Sequence, residues 1–277
     1  MRTHIALLAA AAALGAAGAA QAASVEIKDA VARVTVIPEN RSDIKVEIVR
    51  SNGQLPIQVR TLGGRTIIDG DLDRRIRSCR GSDGKAVVTV RGVGDVGWDE
   101  MPQIIIHTPR NVDLEAEGAV FGSVGRSASL ELGNAGCGDW TIANVQGEAR
   151  IGQAGSGDTR MGSAGHAKIR IAGSGDVATA EIRGGLDVNI AGSGSVMVRS
   201  VAGPLDVSIA GSGDVVVGGG RATTMSVSVA GSGDVDFRGS ADTLKARIMG
   251  SGDVRAREVK GEVSKTMMGS GSVRVGG

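Results

Sequence analysis

Leu205-Asp206-Val207-Ser208-Ile209-Ala210-Gly211-Ser212-Gly213-Asp214-Val215-Val216-Val217 is the stretch that decides the fold. Leu205, Val207 and Ile209 alternate with Asp206 and Ser208, so one side of an extended segment is apolar and the other polar. Two glycines interrupt it, and Val215 and Val217 then resume the apolar set. The pattern is two short strands joined by a glycine corner. The corner phrase, Gly-Ser-Gly-Asp-Val or a close variant, starts at Gly136, Gly155, Gly173, Gly192, Gly211, Gly231, Gly250 and Gly269. Successive starts are 19, 18, 19, 19, 20, 19 and 19 residues apart. A fixed period of that length marks a solenoid, in which each repeat buries its apolar side only by stacking on its neighbours.

Stacking places equivalent residues in columns about 4.8 Å apart. The position two before each phrase reads Asn134, Gln153, Ile171, Ile190, Ile209, Val229, Ile248, Met267. This is a core column that begins polar and becomes apolar. The position after each Asp reads Trp140, Thr159, Val177, Val196, Val215, Val235, Val254, Val273. Glycine at both ends of the corner permits positive φ and close approach between coils, so a β-branched residue in either column is expected to break the stack locally.

Upstream, short β-branched-rich segments at 25–27, 32–37, 44–49, 57–59, 66–68, 86–90 and 104–106 read as strands without a repeat. No window carries a helical stripe. The expected class is therefore all-β: a parallel β-helix or β-solenoid of about 19-residue coils with an N-terminal non-repeat β region. Three parts follow: 1–22, 23–111 capping the solenoid, and 112–277 as the repeat solenoid. The C-terminal end has only Arg274 and the closing glycines to protect its edge, and exposed edges invite association. Contact with a partner, or homo-oligomer formation through the uncapped C-terminal coil, is the expectation there.

Arg2 and His4 precede a short alanine-rich apolar run that ends in Ala20-Gln21-Ala22, the pattern of a secretory signal peptide cleaved between Ala22 and Ala23. The mature chain has no second apolar stretch that could span a membrane. Removing residues 1–22 takes away Arg2 alone, so 31 Lys and Arg become 30 against 30 Asp and Glu. A neutral chain lacks the basic excess that nucleic acid demands. Aromatic residues are confined to Trp98, Trp140, Phe121 and Phe237, too few for the girdles of an outer-membrane barrel. Cys79 and Cys137 are the two cysteines. An even count in an exported chain points to a disulfide. Cys137 replaces serine in the corner column, so a bond to Cys79 would pin the upstream region to the first coil.

The chemical candidates are the carboxylates Asp139, Asp158, Asp176, Asp214, Asp234 and Asp253. Stacked one strand spacing apart, they repel unless a cation or backbone donors neutralise them. A Ca²⁺-binding roll needs Gly-rich Asp turns nine residues apart, and this period is nineteen. Ser195 and Ser272 also occupy the column. The expected role is therefore structural, with each Asp accepting hydrogen bonds from turn amides. Among mature residues His107 and His166 have no nucleophile motif around them. Gly-x-Gly without a helix or Lys-Ser/Thr is no phosphate cradle. No catalytic, cofactor or metal residues are assigned.

The stretch from Asp113 to Val275, with its Ala-Gly-Ser-Gly-Asp-Val repeats, resembles the bacterial auto-transporter adhesin head domain, also called the GIN domain, and the upstream strands resemble its N-terminal part. The resemblance implies an exported, all-β, parallel β-helix-like protein of a Gram-negative envelope and supplies no catalytic residues. An autotransporter ends in a membrane barrel, whereas the repeats here run to Val275, so the expected location is the periplasm, with the cell surface or medium as alternatives. The expected function is a non-catalytic envelope role, structural or adhesion-like, through contact with protein or polysaccharide. The alternative is a carbohydrate-active β-helix enzyme using the Asp column or Asp99-Glu100.

Overall fold

The computed structural model describes residues 23–81 and 84–276. Among the described residues eight strands precede the solenoid, β1 (Ser24–Glu39), β2 (Lys45–Arg50), β3 (Gln58–Leu62), β4 (Arg65–Asp69), β5 (Ile76–Arg80), β6 (Val87–Val90), β7 (Gly94–Gly97) and β8 (Gln103–Pro109), and β9 (Asn111–Val124) follows them. A single 3₁₀ turn at Trp98–Glu100 separates β7 from β8. β9 begins a parallel β-solenoid of about nine turns of roughly 19 residues.

Register is kept from turn to turn because every turn repeats the same inward set. Leu186, Val188 and Ile190 pair with Leu205, Val207 and Ile209. After the corner, Val196 and Val198 pair with Val215 and Val217. A third ladder segment joins Val201 to Gly220 and Gly203 to Ala222. The turns thus have a third pairing site, a single bridge such as Ala164 to Ile182 in the earlier turns and a ladder segment later, and its residues vary from Val145, Ile182 and Val201 to Ala222 and Ala241. Parallel pairing through all three sends side chains of one position into one column, and the resulting core runs unbroken from Val25 to Val273. Burying one such aliphatic side chain is worth about 1.5–3 kcal/mol, so each turn is held chiefly by its neighbours rather than by itself.

The parallel stack extends upstream of the repeats. β1 lies parallel to β9, with Val25 opposite Leu114 and Val34 opposite Gly122. On its other side the first half of β1 pairs with β4 and the second half with β8, both parallel. Two segments far apart in sequence therefore complete one further rung. β3 pairs antiparallel with β4 and β2 antiparallel with β8, which ends the parallel stack.

β5, β6 and β7 form a separate antiparallel sheet. It packs on the outer side of the stack, where Val31, Ala119 and Phe121 join Leu72, Val88, Val90 and Met101 in a second core. That explains why β1 is buried on both faces at its centre, with Ala30, Val31 and Ala32 all inaccessible. At the opposite end the last turn is open: Met267, a core position in every other turn, is 50% exposed. The Lys265 ammonium reaches across this end and donates to the Val273 carbonyl at 2.9 Å. The edge protection there includes an inward-pointing lysine, which the sequence reading did not single out.

Candidate functional site

The repeated corner is a packing device. The first glycine of the phrase has φ between 129° and 146° from Gly155 through Gly269. An L side chain is strained in that region. A Cβ on Gly192 would also run into the Gly173 carbonyl oxygen one turn below, and a Cβ on Gly213 into that of Gly194. The backbone N–H of each following serine, Ser156 through Ser270, donates at 2.9–3.0 Å to the carbonyl of the first glycine one turn below. The corners therefore stay in the ladder while the chain turns.

The aspartates form a second, side-chain ladder. Asp139 Oδ1 accepts the Asp158 N–H at 2.9 Å, and Asp158 Oδ1 accepts that of Asp176 at 2.9 Å. Asp176 Oδ1 then takes the Ser195 N–H at 2.8 Å. A second run repeats this: Asp214 accepts from Asp234 at 2.8 Å, Asp234 from Asp253 at 2.7 Å, and Asp253 from Ser272 at 3.0 Å. The donor belongs to the equivalent residue of the next turn, not to the carboxylate's own corner. The Ser272 hydroxyl also donates to Asp253 Oδ1 at 2.8 Å and is the main cause holding that carboxyl below its usual range. Among the described residues no three Asp, Glu, His or Cys side chains converge on one point as metal ligands would.

Asn134 and Gln153, the polar start of the core column, lie between Ala116 and Ile171 in the same column. Both are buried. Asn134 Nδ2 donates to the Gly138 carbonyl at 2.8 Å, Gln153 Nε2 donates to the Gly157 carbonyl, and Thr159 Oγ1 donates to Gln153 Oε1 at 3.0 Å. These amides brace the first corners from inside. Trp140 fills the adjacent position, and Gly122 opposite it leaves room for the indole, because any Cβ there would strike the ring.

Cys79 on β5 is bonded to Cys137 at the first corner, with Cα atoms 6.1 Å apart and a sequence separation of 58. Around this junction the Arg33 guanidinium lies 5.2 Å from the Trp98 ring centre, and Trp98 meets Phe121 edge-on at 5.6 Å. Ala23 immediately precedes β1, whereas Ala22 and the rest of the expected signal peptide lie outside the described residues. His107 Nδ1 is 3.0 Å from Glu39 Oε1 at the end of β8, and His166 is exposed. Asp99 and Glu100 sit in the 3₁₀ turn, where Glu100 accepts the Gly97 N–H at 2.8 Å.

Three surface features remain. A groove of about 700 Å³ runs across several turns over Ala135, Ala154, Ala172 and Ala191. Near the start of the stack Asp113 faces Glu131 in register, and burial, then Glu131 and Glu115, push its carboxyl up. Near the last turns a groove of about 560 Å³ is lined by Arg238, Arg255, Arg257 and Arg274, with Asp236, Gly218 and Gly276 beside them. Reading the outward columns as carefully as the inward ones would have found this arginine cluster in the sequence. Overall neutrality concealed it.

Comparison with curated proteins gives no match. Among solved structures, a protein of Parabacteroides distasonis described as a "putative adhesin" aligns over 90% of this chain and 91% of its own, at 16% identity and a TM-score of 0.55. A second protein of the same organism, described as a "putative lipid binding protein", covers 91% of this chain and 92% of its own, at 18% identity and a TM-score of 0.52. At such identities the likeness shows the fold alone. The sequence family described as "Putative auto-transporter adhesin, head GIN domain" matches residues 13–220 and 179–277. Those matches span the repeats and the upstream strands alike, and the chain belongs to this family.

Proposed function

We propose that the protein is a non-catalytic, adhesion-like component of the bacterial envelope that acts through the outer surface of its solenoid. The observation that carries this reading is the regular stack itself, nine turns presenting long outer faces, in a chain of the adhesin head family. A solenoid gains binding surface with each added turn, since the repeats bury only their inner sides. The carbohydrate-active alternative loses its best candidates, because carboxylates of the Asp column are engaged with backbone N–H groups of the next turn.

The expected route is export after cleavage between Ala22 and Ala23, with the periplasm as destination and the cell surface as the alternative. A partner would be a protein or a polysaccharide of the envelope. Self-association could use the last turn, but Lys265 stands in its way. The test is saturable binding of the labelled full chain to intact cells and to isolated envelopes, with a glycan panel incubated in parallel. Saturable binding with unaltered glycans is the expected result. Glycan cleavage that disappears in Asp158→Asn or Asp176→Asn would overturn the non-catalytic reading, and no saturable binding would overturn the adhesive one.

A further inference from the structure

We infer that the arginine-lined groove near the last turns binds a linear acidic polysaccharide through its carboxylate groups. This deepens the surface-interaction reading above and rests on it. Arg255 and Arg274 face each other in register on successive rungs. Like charges directly opposite are destabilising in a sheet; Asp236, opposite Arg255 on its other side, and Asp253 offset part of that repulsion, and a bound anion relieves the rest. Arg255 is paired with Asp253 at 2.9 Å and Arg238 with Asp236 at 2.9 Å. Among the described residues Arg257 and Arg274 make no close ion pair, although the Arg274 charge acts on Asp253 at longer range, so both guanidinium forks have room for bidentate contact with carboxylates.

The geometry selects a polymer over a single small anion. The four arginines are spread over three successive rungs about 4.8 Å apart, one on the first, two on the second and one on the third. Gly218 and Gly276, which lack side chains, open the groove between them. It also selects against single-stranded nucleic acid and against a bilayer. The aromatic residue in the lining, Phe237, is wholly buried and cannot stack on a base. Ala256, the other apolar residue in the lining, is buried as well, so the groove offers nothing to enter a bilayer. Without exposed rings the groove recognises charge rather than a neutral sugar face.

The experiment titrates the full chain with polygalacturonate, with neutral dextran, phosphatidylglycerol-containing vesicles and duplex DNA as separate arms, at low and raised salt. Binding to polygalacturonate that weakens with salt, without binding to dextran, is expected. Arg257→Glu with Arg274→Glu should weaken it tenfold or more, and Arg257→Lys with Arg274→Lys should restore part of the loss. Arg170→Glu, in the alanine-floored groove, should leave it unchanged. Both arginines are exposed, and the Gln pair serves if the Glu pair fails to fold. No binding to polygalacturonate, equal or tighter binding to vesicles or DNA, or an unchanged affinity in the reversed variant would each overturn the proposal. A chain that binds cells but not polygalacturonate would end this proposal and leave the adhesive reading standing.

Discussion

At the residue scale the corner glycines and the carboxylates carry the sharpest expectations. Gly192 combines a φ of 140° with a hypothetical Cβ that meets the Gly173 carbonyl. Gly192→Ala is therefore expected to cost about 2 kcal/mol or more in urea unfolding. Gly53→Ala, where a Cβ meets nothing within 4 Å, should stay near neutral and serves as control. Asp113 gives a pH-dependent case. Burial, with Glu131 and Glu115 adding to it, raises its carboxyl in the fold, so the folded chain holds that proton more readily than the unfolded one. Stability from this group is present at low pH and lost as pH rises through the raised value. Asp113→Asn should raise the melting temperature at pH 7, and the gain should vanish as pH falls below about 4. Both glycine columns were readable in the sequence because a period exposes what never varies. The donor partner of each aspartate was not, because a column lists equivalent positions and says nothing of which way a side chain leans.

At the scale of elements, legibility followed repetition. The nineteen-residue period identified the coils, their inward residues and the place of Cys137, since a single departure in a serine column is conspicuous. The upstream strands had no such guide. The β1 strand reads as two short segments because Asp29 and Ala30 interrupt its alternation, and the break is a bulge between Ile27 and Ala30 with Asp29 at a φ of 49°. That β4 and β8 together complete a rung depends on pairing between distant segments, which no local pattern encodes. The β5–β7 sheet is the element most dependent on covalent support. It shares a modest core with the stack and is joined to it through Cys79 and Cys137. Cys79→Ser with Cys137→Ser should cost about 2–4 kcal/mol, with proteolysis concentrated in the β5–β7 segment. Uniform cleavage along the chain would show that the bond does not anchor that sheet.

At the scale of the whole molecule the two ends of the stack differ. The N-terminal end is covered by antiparallel strands, whereas the C-terminal end is open and crossed by the Lys265 side chain, which donates to the Val273 carbonyl. An inward charge at an edge strand discourages further pairing. Lys265→Leu is expected to produce concentration-dependent association in light scattering where the parent chain shows less. Equal behaviour of the two would mean that the edge is guarded by something else. The aspartate ladder carries a different consequence. Three carboxylates end on Ser195, three more end on Ser272, and among the described residues no side-chain bond crosses from Ser195 to Asp214. The eight corners are thus wired as two blocks of four, with a seam in mid-solenoid that the even core does not betray. The Asp214 amide should exchange its hydrogen faster than those of Asp176 and Asp234. Under load the corners should part at that seam before they part within either block.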